Sequence, residues 1–309
     1  MFWRGIHKFK HLELAPGGVM IGMEVKPPTT DFFVDYLTGD DGNSGRAWGK
    51  GYALETIQEA MDRITARGAE RGRCRVFVAP GGYSENIITP LDSIAPFGQL
   101  IAVNPTKRAV GAVWLSSPVA TSPVITVRAR GWLIDGFEID APETDGCIYL
   151  EGVADNCSAK YTEIANCLFS GFYSGSTDFG VDTNEASVLV VIRDSIFFGF
   201  ASRCITASTV VTEQWEIKNC IFLNSANYIA PKGSKGFAEA SIHDCVFHNQ
   251  GGLFTAALKI DMRVGRYNNI GPNNFLGGTY DHAGGYYASS TDEWRGNACE
   301  DSYQKTNPA

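Results

Sequence analysis

Polar and apolar positions recur along this chain in blocks of six. Ile164-Ala-Asn-Cys-Leu-Phe169, Ile192-Arg-Asp-Ser-Ile-Phe197, Ile217-Lys-Asn-Cys-Ile-Phe222 and Ile242-His-Asp-Cys-Val-Phe247 share one pattern: Ile, any residue, Asn or Asp, Cys or Ser, an aliphatic residue, Phe. From Phe169 the steps to the next copy are 28, 25 and 25 residues. A fixed period in this range is the signature of a repeat architecture. Within each copy the alternation has a period of two, which is a strand. It breaks at Asn or Asp, residues that tolerate the left-handed backbone of a sharp bend. Each copy therefore reads strand, bend, strand, with Ile pointing inward before the bend and Cys or Ser, then Phe, pointing inward after it.

The shorter steps do not accommodate a strand–helix–strand unit of ~30 or more residues. They suit one coil of a parallel β-helix, in which each coil lies ~4.8 Å above the last. Equivalent inward residues then stack. Ile164, Ile192, Ile217 and Ile242 form one column, and Phe169, Phe197, Phe222 and Phe247 a second, while Asn166, Asp194, Asn219 and Asp244 line the bend. Two fainter copies extend the series: Ile134-Asp-Gly-Phe-Glu-Ile139 with Gly136 at the bend, and Ile270-Gly-Pro-Asn-Asn-Phe275 with Pro272 there. This gives six coils in register, with one or two more expected between Gly98 and Val127. A β-sandwich also spaces strands by ~8–12 residues, but it does not need the same residue types at the same place in every period.

The pattern changes in the N-terminal third. Asp31 to Leu37 reads as a strand, and Gly39-Asp-Asp-Gly-Asn-Ser-Gly45 as a loop. Thr56-Ile-Gln-Glu59 has the spacing of a capping box, with Thr56 as N-cap and Glu59 reaching back. Ile57, Ala60, Met61 and Ile64 then share one helical face, and Gly68 ends the helix. Arg75 to Ala79 is a strand, followed by Pro80-Gly-Gly-Tyr83 and Glu85. A solenoid leaves raw strand edges at its ends, and this helix is expected to plug the first coil.

The order Val34-Asp35, Gly39-Asp40-Asp41, Gly45, Thr56-Ile57-Gln58-Glu59-Ala60, Val76-Phe77-Val78-Ala79-Pro80-Gly81, Tyr83, Glu85 resembles the opening of the pectate-lyase-like right-handed β-helix superfamily. That opening recurs in phage tailspikes and related virion β-helix proteins. The resemblance spans residues 31–280. It implies an all-β fold, a right-handed single-stranded parallel β-helix (solenoid) with an N-terminal α-helical cap. It implies no single activity, because the superfamily holds lyases, hydrolases, epimerases, adhesins and structural proteins. The expected division is an apolar arm over 1–30, the cap with one helix over 31–90, β-helix coils over 91–276 and a Gly/Tyr-rich C-terminal cap over 277–309.

Composition sets the compartment and the partners. The chain has 309 residues, 44% of them hydrophobic, enough for one long solenoid core. It has no 18-residue apolar run, so no membrane insertion is expected. The first residues make a poor signal peptide, because Leu12 to Met23 is broken by Glu13, Pro16 and three glycines. A net charge of −8 and a pI near 5.2 argue against nucleic acid as a partner. The eight cysteines show no metal-type spacing. Cys167, Cys220 and Cys245 occupy one stacked position with Ser195, where parallel side chains neither converge on a metal nor bridge easily. They read as small buried apolar residues in a protein assembled in a reducing cytosol.

Chemistry is harder to place. By the family resemblance, galacturonan hydrolases of this fold carry an Asn-Thr-Asp motif, an Asp-Asp pair, Gly-His-Gly and Arg-Ile-Lys. The last three are not on the coils, and Asp40-Asp41 lies in the cap region. Calcium-dependent lyases need clustered acids and an Arg base. Asp178, Asp182 and Glu185, in one insertion between coils, with Arg193 and Arg203 following, form the best such cluster, and Glu213 and Glu216 add a second acidic pair. Paired carboxylates ~5–10 Å apart also serve glycoside hydrolysis. Set against these roles, Asp and Glu normally occupy solvated loops, so no catalytic residue is assigned. In the arm, Phe2, Trp3, Val19, Met20 and Ile21 are the expected partner-binding anchors. The reading reached is a non-enzymatic phage virion protein: a capsid-decoration, head-fibre or tail-associated β-helix made in the host cytoplasm. It is expected to be homo-oligomeric, with a trimer favoured, to dock on other virion proteins and to contact a polysaccharide. The alternatives are a tailspike-like polysaccharide lyase or glycoside hydrolase, and a glycan-binding module. No cofactor is expected, with Ca²⁺ entering only under the lyase alternative.

Overall fold

The alternating segments fold as short strands that pair with their own repeats. The computed structural model describes residues 14–15, 18–19, 30–67, 73–104, 112–152, 159–171, 178–183, 187–207, 212–231, 236–248, 260–261, 267–276, 286–287, 291–299 and 303–304. Three long sheets run side by side. The first has ten strands, from Thr30–Val34 to Glu293–Trp294. The second also has ten, from Gly81–Ser84 to Tyr303–Gln304, and the third has eight, from Ile87–Ile88 to Tyr286–Tyr287. The chain visits first, second and third sheet in turn, then climbs one level and repeats. The result is the all-β, right-handed single-stranded parallel β-helix expected from the repeat.

The register is the one the repeat demands. Ile134, Ile164, Ile192, Ile217, Ile242 and Ile270 are successive partners in the first sheet. Ile139, Phe169, Phe197, Phe222, Phe247 and Phe275 are partners in the second. From Phe169 to Phe275 the rings stack at 4.5, 5.0, 4.8 and 5.0 Å, each pair within 13° of parallel. Those separations match the strand spacing, so the core is a continuous ladder. Cys167, Ser195, Cys220 and Cys245 form the next column inward of the bend. Each thiol donates to the carbonyl two residues before it, at 3.1, 3.2 and 3.2 Å, and the Ser195 hydroxyl does the same at 2.8 Å. Cys74, Cys147, Cys167, Cys204, Cys220 and Cys245 are all free and buried.

The bends behave as the Asn and Asp residues require. Asn166, Asp194, Asn219 and Asp244 have φ of 54, 53, 52 and 55°, and Gly136 has 88°. In the last copy the turn passes through Gly271 at 142°, one residue before Pro272, whose ring cannot adopt a positive φ. A second left-handed corner lies three residues before each inward Ile, at Gly131, Tyr161, Leu189, Gln214, Glu239 and Tyr267. The sequence pattern did not announce it, because its residue types share nothing. At Gly131, Tyr161, Leu189 and Gln214 the corner is closed by backbone bonds between levels, such as Tyr161 N–H to the Val188 carbonyl and Gln214 N–H to the Ala238 carbonyl, while Tyr267 N–H donates to the Thr291 hydroxyl.

In the N-terminal third the first strand is Thr30–Val34, and it pairs directly with Cys74–Val78 in the first sheet. Parallel pairing also continues past residue 276 through Tyr286–Tyr287, Glu293–Trp294 and Asn297–Cys299. The ladder thus extends beyond 91–276 on both sides. The helix is Ile57–Ala66, and its apolar face of Ile57, Ala60, Met61 and Ile64 is buried. The Thr56 hydroxyl accepts from Glu59 N–H at 3.2 Å, as a capping box requires. The reciprocal half is different: Glu59 pairs with Arg63 at 2.7 Å, and Asp41 accepts from the N–H groups of Glu55 and Thr56 at 2.9 Å each. Glu85 completes the helix start by accepting from Ile57 N–H at 3.1 Å and Gln58 N–H at 2.9 Å. Burial pushes the Glu85 carboxyl above its ordinary range, against the pull of these two bonds. Residues Asp41, Thr56 and Glu85 of the opening motif therefore satisfy the orphan donors of one helix end. Gly68, expected to end the helix, is outside the described residues.

Candidate functional site

Of the acidic residues singled out in the sequence, the described ones, Asp178, Asp182, Glu213 and Glu216, do not converge. Asp178 is fully buried, and its Oδ1 accepts from the N–H groups of Ala201 at 3.0 Å and Ser202 at 3.3 Å. Asp182 is 4% exposed and accepts from Thr183 N–H at 2.8 Å. Both belong to a segment whose strand, Phe179–Thr183, is buried at every position. The expectation of an exposed acidic face is thus overturned for these two: backbone N–H groups replace water around the carboxylates, which is what allows their burial. Glu185 lies outside the described residues. Arg203 is in register with Phe179 in the third sheet. Arg193 is on the first sheet, paired with Glu163 at 2.6 Å and Asp194 at 2.7 Å, so it does not join Asp178 and Asp182.

The second acidic pair is also divided. Glu213 is exposed on a two-residue strand that pairs with Phe237–Ala238. Glu216 is on the first sheet, held by Lys218 at 2.7 Å and His243 at 3.4 Å. Burial raises its pKa, and the hydrogen bonds and charges of Lys218 and His243 together lower it more, leaving it below the ordinary carboxylate range. Arg193, Lys218 and His243 with their acidic partners make a charged stripe up the outer face of the first sheet. Of the expected arm anchors, Val19 falls in a short strand paired with Leu14. Phe2, Trp3, Met20 and Ile21 lie outside the described residues. Among the described residues no three His, Cys, Asp or Glu side chains are placed to hold a metal ion.

A groove of about 800 Å³ is present elsewhere, on the outer face of the second sheet. Its floor comes from strands Val113–Ser116, Glu138–Asp140 and Leu168–Ser170, and its side from the loops 117–124 and 141–145. Strand alternation explains the floor. Leu115 and Ile139 point into the core, so Trp114, Ser116, Glu138 and Asp140 point out. Trp114 and Glu138 are partners across the strands, as are Ser116 and Asp140. The loops lock together where Thr144 N–H and its hydroxyl both donate to the Ala120 carbonyl, at 3.0 and 2.9 Å.

Trp114 is 42% exposed yet fixed in place. Its Nε1 donates to Asp140 Oδ2 at 2.9 Å. Its ring rests on the strand below, where a β-carbon built on Gly82 would come within 3.1 Å of the indole. The groove thus offers a held aromatic surface beside three carboxylates, Glu138, Asp140 and Glu143, and the hydroxyls of Ser116, Ser117 and Ser170. Asp178 is buried behind Gly171 and does not itself line the groove. A β-carbon on Gly171, which lines it, would sit 2.6 Å from Asp178 Oδ2. Reading for acidic clusters passed over Glu138 and Asp140 because Glu138 sits inside a faint repeat copy and Asp140 directly follows it. The available signal was that Glu138-Ile139-Asp140 alternates, which puts both acids outward.

No protein-family model matches the chain, and no curated protein does. Solved structures are similar at low identity. A rhamnogalacturonan lyase is 10% identical, with a TM-score of 0.47 and 89% of each chain covered. A rice weevil pectin methyl esterase is 9% identical, with a TM-score of 0.44, covering 82% of this chain and 88% of that one. A tailspike protein of Acinetobacter baumannii bacteriophage Fri1, a capsular polysaccharide depolymerase, is 8% identical, with a TM-score of 0.30, covering 90% of this chain and 61% of that one.

Proposed function

We propose that this chain is a saccharide-binding β-helix that holds a glycan in the groove beside Trp114. The observation that carries the reading is the held, exposed indole flanked by outward carboxylates and hydroxyls. A pyranose has an apolar face and an equatorial rim of hydroxyls. An aromatic surface covers the first, and carboxylates accept strong, charge-assisted hydrogen bonds from the second. Sites for small ligands combine concavity, apolar lining and a few fixed polar groups in this way. The test is calorimetric titration of the full chain against a broad panel of oligosaccharides, with Trp114→Ala alongside. A ligand should bind, and the variant should weaken it by tenfold or more while retaining the wild-type melting curve. A panel without a ligand, or a variant that binds as tightly as wild type, overturns the proposal.

The setting we propose is a phage particle, in which the chain acts as a non-enzymatic component. This part is supported by the resemblance of the opening motif to virion β-helices and by six buried cysteine thiols among the described residues, which fit assembly in a reducing cytosol. Mass spectrometry of purified particles should detect the chain at stoichiometric level, and its absence there would exclude the role. A second reading is favoured by one observation, the adjacent outward acids Glu138 and Asp140 on the groove floor: glycoside hydrolysis. Release of new reducing ends by wild type, lost in Glu138→Gln, would establish it.

A further inference from the structure

The groove is longer than one sugar, and its length follows the rungs of the second sheet. Ser116, Asp140, Ser170 and Phe198 are successive register partners in one outward column, and all four line it. The neighbouring members of that column, Ser84 one rung earlier and Leu223 one rung later, do not line it. Three strand spacings of ~4.8 Å separate the first lining rung from the last, about 14 Å along the solenoid axis. At one end stands the indole of Trp114, which reaches across to donate to Asp140 at 2.9 Å. At the other end lies the half-buried Phe198. Between these aromatic ends the column carries the Asp140 carboxylate and the Ser170 hydroxyl.

We infer that the groove takes an unbranched, extended glycan of four sugar residues lying along the solenoid axis, with Phe198 as a second stacking platform that sets the preferred length. This rests on reading the groove as a saccharide site. An extended chain of equatorially linked pyranoses advances by close to one strand spacing per residue, so successive sugars fall on successive rungs. The aromatic ends cover apolar sugar faces, and the oxygen-bearing rungs between them meet the equatorial hydroxyls. A groove of about 800 Å³ is at the large end of small-ligand sites, ~300–1,000 Å³, and far exceeds what one pyranose fills. Strand pairing fixes the spacing of the rungs before any ligand arrives, so binding demands little ordering of the protein. A chain that coils, such as an α-1,4-linked glucan, leaves this straight track after its first residues. A branch on the walled side meets the loops 117–124 and 141–145.

The experiment titrates the full chain by calorimetry with three oligosaccharide series, each running from disaccharide to hexasaccharide: β-1,4-linked glucose, β-1,4-linked N-acetylglucosamine and α-1,4-linked glucose. At least one β-linked series should gain about tenfold or more from disaccharide to tetrasaccharide and then level off, while the coiling α-linked series gains nothing beyond the disaccharide. Phe198→Ala should cancel the gain, bringing the tetrasaccharide down to the affinity of the disaccharide, and Trp114→Ala should weaken every length. Ser170→Phe puts a bulky ring in the middle of the track and should cancel the gain as well. It carries the test if Phe198→Ala lowers the melting curve. Affinity that levels off at the disaccharide, keeps rising to the hexasaccharide or rises equally in the α-linked series overturns the inference while leaving the saccharide site standing. So does a gain that survives Ser170→Phe or a natively melting Phe198→Ala. Binding by neither β-linked series also overturns it, and the broad panel then decides whether the saccharide reading itself falls.

Discussion

Replacing Phe222 by Ala tests whether the aromatic ladder carries the stability of the solenoid. Phe222 is fully buried between Phe197 at 5.0 Å and Phe247 at 4.8 Å, with Tyr228 tilted against it at 5.8 Å. A buried Phe→Ala change costs about 3–5 kcal/mol from lost transfer energy and the cavity left behind. Two stacked partners add about 0.5–1.5 kcal/mol each beyond the area term. Relief by collapse is blocked, because the rungs above and below are fixed by strand pairing on both sides. The loss should therefore fall near the upper end, about 4–5 kcal/mol. Urea melts followed by circular dichroism measure it, with Leu223→Ala, an outward neighbour, as control. Because each coil touches only its neighbours, a double change at Phe197 and Phe222 should be non-additive, while Phe169 with Phe222, two rungs apart, should add. A loss below about 1.5 kcal/mol, or no excess over Leu223→Ala, would show that the ring stack is incidental and that backbone pairing holds the coils.

Three further outcomes follow from single positions. Asn219 has φ 52°, so Asn219→Ala should cost about 1–2 kcal/mol and Asn219→Gly clearly less, and equal melting temperatures for the two would refute the bend argument. Cys220→Ser should stay within about 1 kcal/mol of wild type, since Ser195 fills the equivalent position and bonds the equivalent carbonyl two residues back, that of Arg193, whereas Cys220→Leu overpacks the column at about 1–3 kcal/mol; comparable melts for both would contradict it. Glu216 has a folded-state pKa lowered below 4.5, so its contribution is present above that pH and fades as pH falls through the folded value. Its partners are half-exposed, so the effect is under about 1 kcal/mol and sensitive to salt. Glu216→Gln should flatten the acid limb of the stability curve, and an unchanged limb would show the pair to be idle.

The fold was legible because stacking forces repetition. The inward Ile and Phe columns, the left-handed Asn and Asp bends, the Thr56-capped helix and the interchangeable Cys and Ser column all follow from residues that must recur, or cap, for one physical reason each. The corner through Tyr161, Leu189 and Gln214 was not legible, because inter-level backbone bonds impose it on whatever side chain is present. Asp178 misled for a related reason. An acid in an insertion reads as solvated, but here the N–H groups of Ala201 and Ser202 turn toward it and pay for its burial. The Asp40-Asp41 pair, set apart from the coils by its place in the N-terminal third, serves the fold: Asp41 is an acceptor for the start of the helix.

The groove was hidden for the opposite reason: it exists where the repeat fails. One outward column of the second sheet runs Gly82, Trp114, Glu138, Leu168, Ile196, Ile221. Its later members are aliphatic and interchangeable. Its first three are a vacancy, an aromatic ring and an acid, and they only make sense together. Gly82 leaves room for the indole, and Asp140, one level up and one column over, supplies the acceptor that orients it. Inward positions cannot vary in this way, because each is squeezed between like neighbours above and below. Outward positions are released from that constraint, and the loops between the second and third sheets can lengthen without disturbing the ladder. A rigid solenoid therefore concentrates its capacity for recognition in the few rungs whose outer residues differ from the rest, and in this chain those are the levels that carry Gly82, Trp114 and Glu138.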